Sequence, residues 1–278
     1  MRDLAGKTAF VTGGAGGIGL ALGRAFAQAG MKVMLADIEA DALSAAVKSL
    51  HDVGPDVRGV PCDVADAAGV DRAAGETIAA FGNVHVVCNN AGVAAAGGID
   101  NISLDNWRWV LDVNLMGVLH GVRAFLAHIR GHGEGGHIVN TASMAGMNGG
   151  HQFSPYVASK FAVVGMSEGL ATQLAPLGIG VSVLCPSYVR TRITESGRNR
   201  PRRYGPAQTL PDPASPAGMM LAHIAANVQA GLEPSEVAAR VLTAIRDNEL
   251  YVFTHPDMRE AVEQRFAAIQ AAMDKASR

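Results

Sequence analysis

An α/β fold, with a doubly wound parallel sheet of about seven strands, is predicted by three features of this 278-residue chain. Apolar strand-like runs alternate with helical patterns almost from end to end. The first run opens into Thr12-Gly13-Gly14-Ala15-Gly16-Gly17-Ile18-Gly19 just before an apolar helix. The second run ends on an acid, Asp37. Thirty-three glycines and only 5% aromatic residues suit many tight strand-to-helix turns.

Each element follows from that alternation. The strands read Thr8 to Val11, Lys32 to Ala36, Val57 to Pro61, Val84 to Asn89, His137 to Asn140, Gly180 to Cys185 and Leu250 to Phe253. Helical patterns fill the intervals: Gly17 to Ala29, Ala40 to Leu50, Asp66 to Phe81, Leu104 to Arg130, Pro155 to Leu177, Pro234 to Asp247 and Met258 to Lys275. Strands separated by helices of this length pair in parallel, with helices on both faces. The stretch from Arg190 to Ala230 breaks the rhythm with five prolines, the basic cluster Arg198, Arg200, Arg202 and Arg203, and an apolar run around Met219 to Ala226. A long insertion after a strand's C-terminal end is where a substrate lid lies. For the arginines, a lid role and a merely solvated surface weigh evenly. The expected organisation is one catalytic domain over residues 1–278, with a lid at 190–230 and a C-terminal helical extension at 256–278.

Bulk properties exclude several classes. Lys plus Arg number 23 against 25 Asp plus Glu, so no global field recruits nucleic acid or an anionic membrane. The amino-terminal apolar run is too short for a signal peptide or a membrane span, and a cytosolic protein is expected. Cys62, Cys88 and Cys185 have no paired spacing and read as small buried hydrophobes, with no disulfide framework and no metal site. His128 and His132 are four apart, but Gly131 and Gly133 flank them and no third ligand is evident. They read as solvated helix-end residues.

The glycine run is a phosphate cradle. Glycine permits the tight turn and lets backbone N–H groups approach a pyrophosphate at the helix N-terminus, where the macrodipole favours anions. Asp37 stands where a carboxylate accepts hydrogen bonds from both adenine-ribose hydroxyls and repels a 2′-phosphate. With no Lys or Arg between Gly13 and Gly19, NAD is expected over NADP. The alternative for Asp37 is a helix N-cap, and the two roles can coexist.

Tyr156 and Lys160 share a helix face at i, i+4 spacing. A free tyrosine, with a pKa of about 10, is a poor base at neutral pH, and a nearby ammonium favours its phenolate. Ser143 stands thirteen residues before Tyr156. A rival reading is a serine hydrolase, from Gly165-Met166-Ser167-Glu168-Gly169. That motif requires a sharp strand-to-helix turn, whereas Phe161, Val164, Leu170 and Leu174 continue a helix through it. A second rival, a non-catalytic NADH sensor, would keep the cradle and dispense with Ser143, Tyr156 and Lys160.

Together these residues resemble the short-chain dehydrogenases/reductases, a Rossmann-like family, from about Leu4 to Asn248. Thr12, Gly13, Gly17 and Gly19 match its T-G-x-x-x-G-x-G loop. Asn89-Asn90-Ala91-Gly92 resembles its N-N-A-G motif, and Asp63-Val64 its adenine-contacting pair. The resemblance implies Tyr156 as general acid/base, with Lys160 lowering its pKa and binding the nicotinamide ribose. It implies Ser143 as the group that hydrogen-bonds the substrate oxygen, and Asn114 as the residue that bends a helix and completes a proton relay. Cofactor contacts are implied for Gly13, Gly16, Gly17, Ile18, Gly19, Asp37, Asp63, Val64, Asn90, Ala91, Gly92, Tyr156, Lys160, Pro186, Val189 and Thr191. Where the family has P-G-x-x-x-T, this chain has Pro186-Ser187-Tyr188-Val189-Arg190-Thr191, which leaves Tyr188 to face the substrate; His151 is a further candidate at the substrate mouth.

The long helices Leu104 to Arg130 and Pro155 to Leu177 are those through which relatives pair, so a homodimer or homotetramer is expected. Arg203-Tyr204-Gly205, Gly231-Leu232-Glu233-Pro234 and Asp247-Asn248-Glu249-Leu250-Tyr251 are similar to bacterial Cα-dehydrogenases that oxidise benzylic alcohols of lignin-type aryl ethers. That similarity implies a bulky, aromatic secondary alcohol interconverted with its ketone.

Overall fold

The computed structural model describes residues 1–54, 56–95, 102–149, 154–206 and 211–276. Its centre is one parallel sheet in the order β3-β2-β1-β4-β5-β6-β7. The strands are β1 (Thr8–Thr12), β2 (Lys32–Asp37), β3 (Val57–Pro61), β4 (Val86–Asn89), β5 (Gly136–Thr141), β6 (Ile179–Cys185) and β7 (Tyr251–Phe253). The order reverses between β1 and β4, which pair through Ala9 with Val86 and Val11 with Cys88. At such a reversal the helices leave opposite faces and a crevice opens beyond the strand C-termini.

Side chains alternate along each buried strand, so successive residues enter different cores. Phe10 points to one face and meets Phe125 of α5 (Gly117–His132), ring centroids 4.6 Å apart. That core also holds Val70 and Ala74 of α3 (Ala67–Phe81) and Val110 of α4 (Leu104–Leu111). Val11 points to the other face, among Leu22 and Phe26 of α1 (Gly17–Gln28), Leu43 of α2 (Ala40–Leu50) and Val241 of α8 (Pro234–Asp247). A third cluster seats α6 (Ser154–Leu174) through Val163 and Val164 on Val183 and Cys185 of β6 and on Ala142 just after β5.

The long helix expected from Leu104 to Arg130 is interrupted: a π turn over Asp112–Met116 separates α4 from α5. One extra residue per turn rotates the side chains that follow, a device common at functional sites. The insertion after β6 contains short 3₁₀ turns at Ile193–Asn199 and Arg202–Tyr204, then α7 (Pro216–Gln229), a helix that spans the apolar run around Met219 to Ala226. The chain ends in α9 (Arg259–Ala276).

Among the described residues, the stretch Leu104–His132 is long and apolar enough to cross a membrane. In this fold its Val110, Val122, Phe125 and Ile129 are buried in the sheet's core. His128 and His132 are not solvated helix ends. The helix continues through Gly131 and stops at Gly133, whose φ of 69° is left-handed. His128 Nε2 accepts from the Val84 backbone N–H at 3.2 Å, and His132 Nε2 donates to the Val84 carbonyl at 3.0 Å. The two rings supply the hydrogen bonds that Val84 lacks before β4 begins, since β4 starts at Val86 and not at Val84.

Candidate active site

The site is built from the chain reversals at the crevice. Thr12 ends β1, and its Oγ1 accepts from the backbone N–H groups of Asn90 (2.9 Å) and Ala91 (3.0 Å), while its carbonyl accepts from Asn90 Nδ2 (3.0 Å). One threonine therefore ties the glycine loop to the Asn89-Asn90-Ala91-Gly92 turn after β4. The loop then turns into α1 through Gly17, at φ 51°, a conformation that favours glycine. Gly19 serves a different need: a Cβ there would lie 2.0 Å from the Gly13 carbonyl oxygen. Asp37, at the end of β2, accepts from Ala15 N at 2.9 Å through one oxygen and from Glu39 N at 3.0 Å through the other. It closes the cradle and turns the chain toward α2, which is the cap-like part of its expected role.

A cleft of about 280 Å³ runs along this edge. Its lining includes Gly13, Gly16, Gly17, Ile18, Asp37, Asp63, Val64, Asn90, Ala91 and Gly92 from one half. From the other come Ser143, Tyr156, Lys160, Pro186, Val189 and Thr191. A dinucleotide fits this arrangement: an open floor at Gly16, where nothing lies within 4 Å of an added Cβ, a helix N-terminus beside it, and a carboxylate at one end. Gly19 and Asn114 lie behind the wall and act through what they hold in place.

At the other end the chemistry-bearing groups converge. Lys160 is buried, 3% exposed, and its Nζ donates to the Thr141 carbonyl at 2.8 Å. Burial pushes its pKa down to about 8. The ammonium lies 5.5 Å from the Tyr156 ring centroid. Burial pushes the half-buried Tyr156 phenol up, and its hydrogen bond with Ser143 pulls part of the way back. The expected lowering by Lys160 does not appear: burial sets the direction, and the ammonium is engaged by the Thr141 carbonyl. Ser143 caps a 3₁₀ turn, its Oγ 3.2 Å from the Pro186 carbonyl and accepting from Ala145 N at 3.1 Å.

Asn114 sits at the middle of the π turn, wholly buried. Its Oδ1 accepts from Val93 N (2.8 Å), and its Nδ2 donates to Val93 O (2.9 Å) and to Ser159 Oγ (3.1 Å). The extra residue of the π turn is what brings this amide across to the chain leaving Gly92. A Cβ on Gly92 would be 3.5 Å from both Asn114 Oδ1 and Lys160 Nζ, so amide oxygen and ammonium face the same point.

Other expected residues fall elsewhere. Tyr188 does not line the cleft; Ser187 and Val189 do. The Tyr188 carbonyl is held by Leu232 N at 3.0 Å and by His255 Nε2 at 3.1 Å, while Ser187 N donates to His255 Nδ1 at 3.2 Å. His255 was not foreseen: it clamps from the end of β7 the loop in which serine replaces the family's glycine. His151 lies outside the described residues.

The lid arginines divide. Arg198 pairs with Glu39 at 3.0 Å and Arg203 with Asp63 at 2.6 Å, both bridging the insertion to the cleft's carboxylate end. Arg200 stacks 5.2 Å from the Trp109 ring and donates to Asn106 Oδ1 and the Tyr204 carbonyl. The insertion therefore covers the Asp37–Asp63 end of the cleft, and is also fastened to the chain leaving Gly92 through Ser196 Oγ, which accepts from Ala94 N at 3.1 Å.

Ser167 is inside a continuous α6, fully buried, donating to Val163 O at 2.7 Å and accepting from Asn140 Nδ2 at 3.0 Å. It has no exposed nucleophile geometry. Ser167→Ala should leave turnover unchanged while costing about 1–3 kcal/mol of stability through the orphaned Asn140 donor. Thermal unfolding beside a rate assay checks both; a large loss of rate in a folded variant would contradict it.

The family model for short chain dehydrogenase matches residues 7–202. The chain is 36% identical over 270 residues to a C alpha-dehydrogenase of Sphingobium sp. (strain NBRC 103272 / SYK-6), covering 97% of this chain and 87% of that protein. It is 38% identical over 192 residues to a 3-alpha-(or 20-beta)-hydroxysteroid dehydrogenase of Mycobacterium bovis, covering 69% and 72%. The crystal structure of a short chain dehydrogenase/reductase from Burkholderia phymatum in complex with NAD superposes with a TM-score of 0.92 at 37% identity, covering 98% of this chain and 97% of that one.

Proposed function

The chain belongs to the short-chain dehydrogenase family, and on that premise we propose that it interconverts a secondary alcohol and a ketone with NAD, in one catalytic domain that works in the cytoplasm as a homo-oligomer. The observation that carries the reaction is the convergence of Ser143, Tyr156 and Lys160 at one end of a cleft whose other end is a glycine cradle closed by Asp37.

A bound nicotinamide dinucleotide supplies the hydride acceptor or donor. Gly13, Gly16, Gly17, Ile18 and Gly19 would hold its pyrophosphate, Asp37 its adenine ribose, Asp63 and Val64 its adenine. Asn90, Ala91, Gly92, Pro186, Val189 and Thr191 would frame the remainder. Ser143 Oγ orients the substrate oxygen and stabilises the charge that develops there. Tyr156 Oη takes the alcohol proton in oxidation or returns it in reduction. Lys160 would hold the nicotinamide ribose and places positive charge near the phenol, and Asn114, from behind the cleft wall, would complete the proton relay. Val93, Trp109, Val113, Ile193 and Val228 give the cleft apolar walls, which supports a bulky or aromatic substrate. The dehydrogenases of aryl and steroid alcohols among its relatives support the same class.

The test is the absorbance of reduced nicotinamide, followed with NAD or NADP against aliphatic, benzylic and polycyclic secondary alcohols. Turnover of a bulky class with NAD supports the reading; silence across the panel with NADH tightly bound would favour a sensor. Asp37→Ala removes the carboxylate that would repel a 2′-phosphate and should raise the NADP-to-NAD ratio of kcat/KM about tenfold or more, each tenfold being about 1.4 kcal/mol. An unmoved ratio would reduce Asp37 to a brace for Ala15 and Glu39.

A further inference from the structure

At the foot of the sheet, the end of the strands away from the cleft, three imidazoles meet. The ring centroids of His85 and His132 lie 5.0 Å apart, and those of His128 and His132 5.4 Å. Each ring accepts a backbone N–H: His85 Nδ1 from Thr8 at 3.1 Å, His128 Nε2 from Val84 at 3.2 Å, and His132 Nδ1 from Glu134 at 3.1 Å. A neutral imidazole carries one lone pair and one N–H, so these bonds fix the tautomers. The N–H left on His85 then donates to Glu134 Oε2 at 2.8 Å, and that on His132 to the Val84 carbonyl at 3.0 Å.

An imidazolium is different: both nitrogens donate and neither accepts. A proton added to His85 or His128 therefore sets a second N–H against that of Thr8 or Val84. Those two residues are buried, 1% and 0% exposed, where a donor left without a partner is costly. Glu134 is exposed, so its N–H can turn to water instead. The charges nearby do not reverse this balance. Glu134 favours a proton on His85, whereas burial, the Lys7 ammonium at the entry to β1 and His132 oppose it, and the net direction is down. Burial and His132 likewise push His128 down. From β5, His137 is bonded to Ser182 Oγ at 2.8 Å, and burial keeps it neutral with a pKa of about 3.

We propose that these rings are an acid-opened clasp: neutral, they hold the feet of β1 and β4 closed, and on taking up protons they release Thr8 and Val84. Both strands carry the cleft at their other ends, β1 at Thr12 and β4 at the Asn90 turn, so the clasp steadies the strands beneath the cradle. Because the folded values of His85 and His128 lie below the unfolded value of about 6.5, the unfolded chain binds the extra protons as pH falls. The clasp's contribution is complete above about pH 6.5 and is lost as pH falls toward the folded values. A metal ion is the rival occupant, since His85, His132 and Glu134 offer ligand atoms within 4.8 Å of one another. It is disfavoured, because backbone N–H groups engage the lone pairs of both rings, and Glu134 is paired with Lys7 at 3.3 Å and Asn83 at 2.5 Å.

The test is amide hydrogen exchange of the full chain, resolved at Thr8 and Val84. From about pH 7.5 to about pH 5.5, their opening constants, corrected for intrinsic exchange, should rise about tenfold or more relative to that of Val33. Val33 lies in β2 with its N–H on the Asp56 carbonyl, so the ratio removes the acid loss that His137 adds to global unfolding. A ratio unchanged by pH would overturn the inference. In His85→Asn/His128→Gln the amide oxygens can accept the same two N–H groups and cannot be charged. There the ratio should stay within about twofold, and a variant that opens with acid as the parent does would also overturn it. Zinc should leave the parent's thermal midpoint where it is. A zinc-dependent rise that the double variant abolishes would show the lone pairs to be free, and the clasp would give way to a metal site.

Discussion

Tyr156→Phe is expected to lower kcat by about a hundred- to ten-thousand-fold, the range that a positioned general acid or base contributes, while NADH affinity stays within about a factor of three. The substitution removes one oxygen and keeps the ring that the Lys160 ammonium faces at 5.5 Å. Ser143 keeps its contacts with Pro186 and Ala145, so the pocket does not collapse. A loss of kcat without a matching rise in NADH dissociation would locate the defect in proton transfer. The remaining activity should also lose the pH dependence carried by the phenol. In the structure burial raises that phenol, so its ionised form grows only toward alkaline pH, and alcohol oxidation in the parent enzyme should climb with pH through that range. Substantial turnover by Tyr156→Phe would remove Tyr156 from the base role.

Gly19→Ala should have a comparably large effect by a different route. Its new Cβ would stand 2.0 Å from the Gly13 carbonyl oxygen and 2.7 Å from Asn90 Nδ2. Backbone oxygen cannot swing aside, so the loop must move away from α1. Gly13 precedes the turn that Ala15 and Asp37 close, and Asn90 is fastened to Thr12, so the displacement spreads along the cradle from Asp37 to the turn after β4. Dinucleotide binding should weaken at least about a hundredfold, and the fold should lose about 1–3 kcal/mol as an overpacked site does. Calorimetric titration with NADH and thermal unfolding measure the two. Near-parental binding would show that the cradle yields more readily than its contacts allow.

The turn of the glycine loop and the placement of Tyr156 beside Lys160 were legible because their requirements are local. Glycine at 17 and 19, an acid at the end of β2 and a Tyr–Lys pair at helical spacing each announce a requirement within a few residues. What escaped the sequence depends on long-range closure. Glu39 and Arg198 are 159 positions apart, and Ser187 and His255 are 68. No periodicity links such partners. For the same reason the basic cluster could be weighed evenly between lid and solvent, whereas in the fold Arg198 and Arg203 hold the insertion to Glu39 and Asp63. The π turn was hidden too, since one added residue leaves an apolar helix pattern almost unchanged. His128 and His132 misled because their true partner, the unpaired backbone of Val84, emits no signal of its own.

His255 joins two parts of the chain whose histories need not coincide. The family model ends at residue 202, yet the loop at Ser187–Tyr188 takes its shape from an imidazole that follows β7. Exchanging the tail for another relative's would therefore rewrite the cleft wall at Ser187 and Val189 even with Ser143, Tyr156 and Lys160 untouched. In a chimera, residues 186–189 and 250–255 form one inheritable unit, and the boundary between common scaffold and private specificity runs across the sheet from β6 to β7 instead of along the chain.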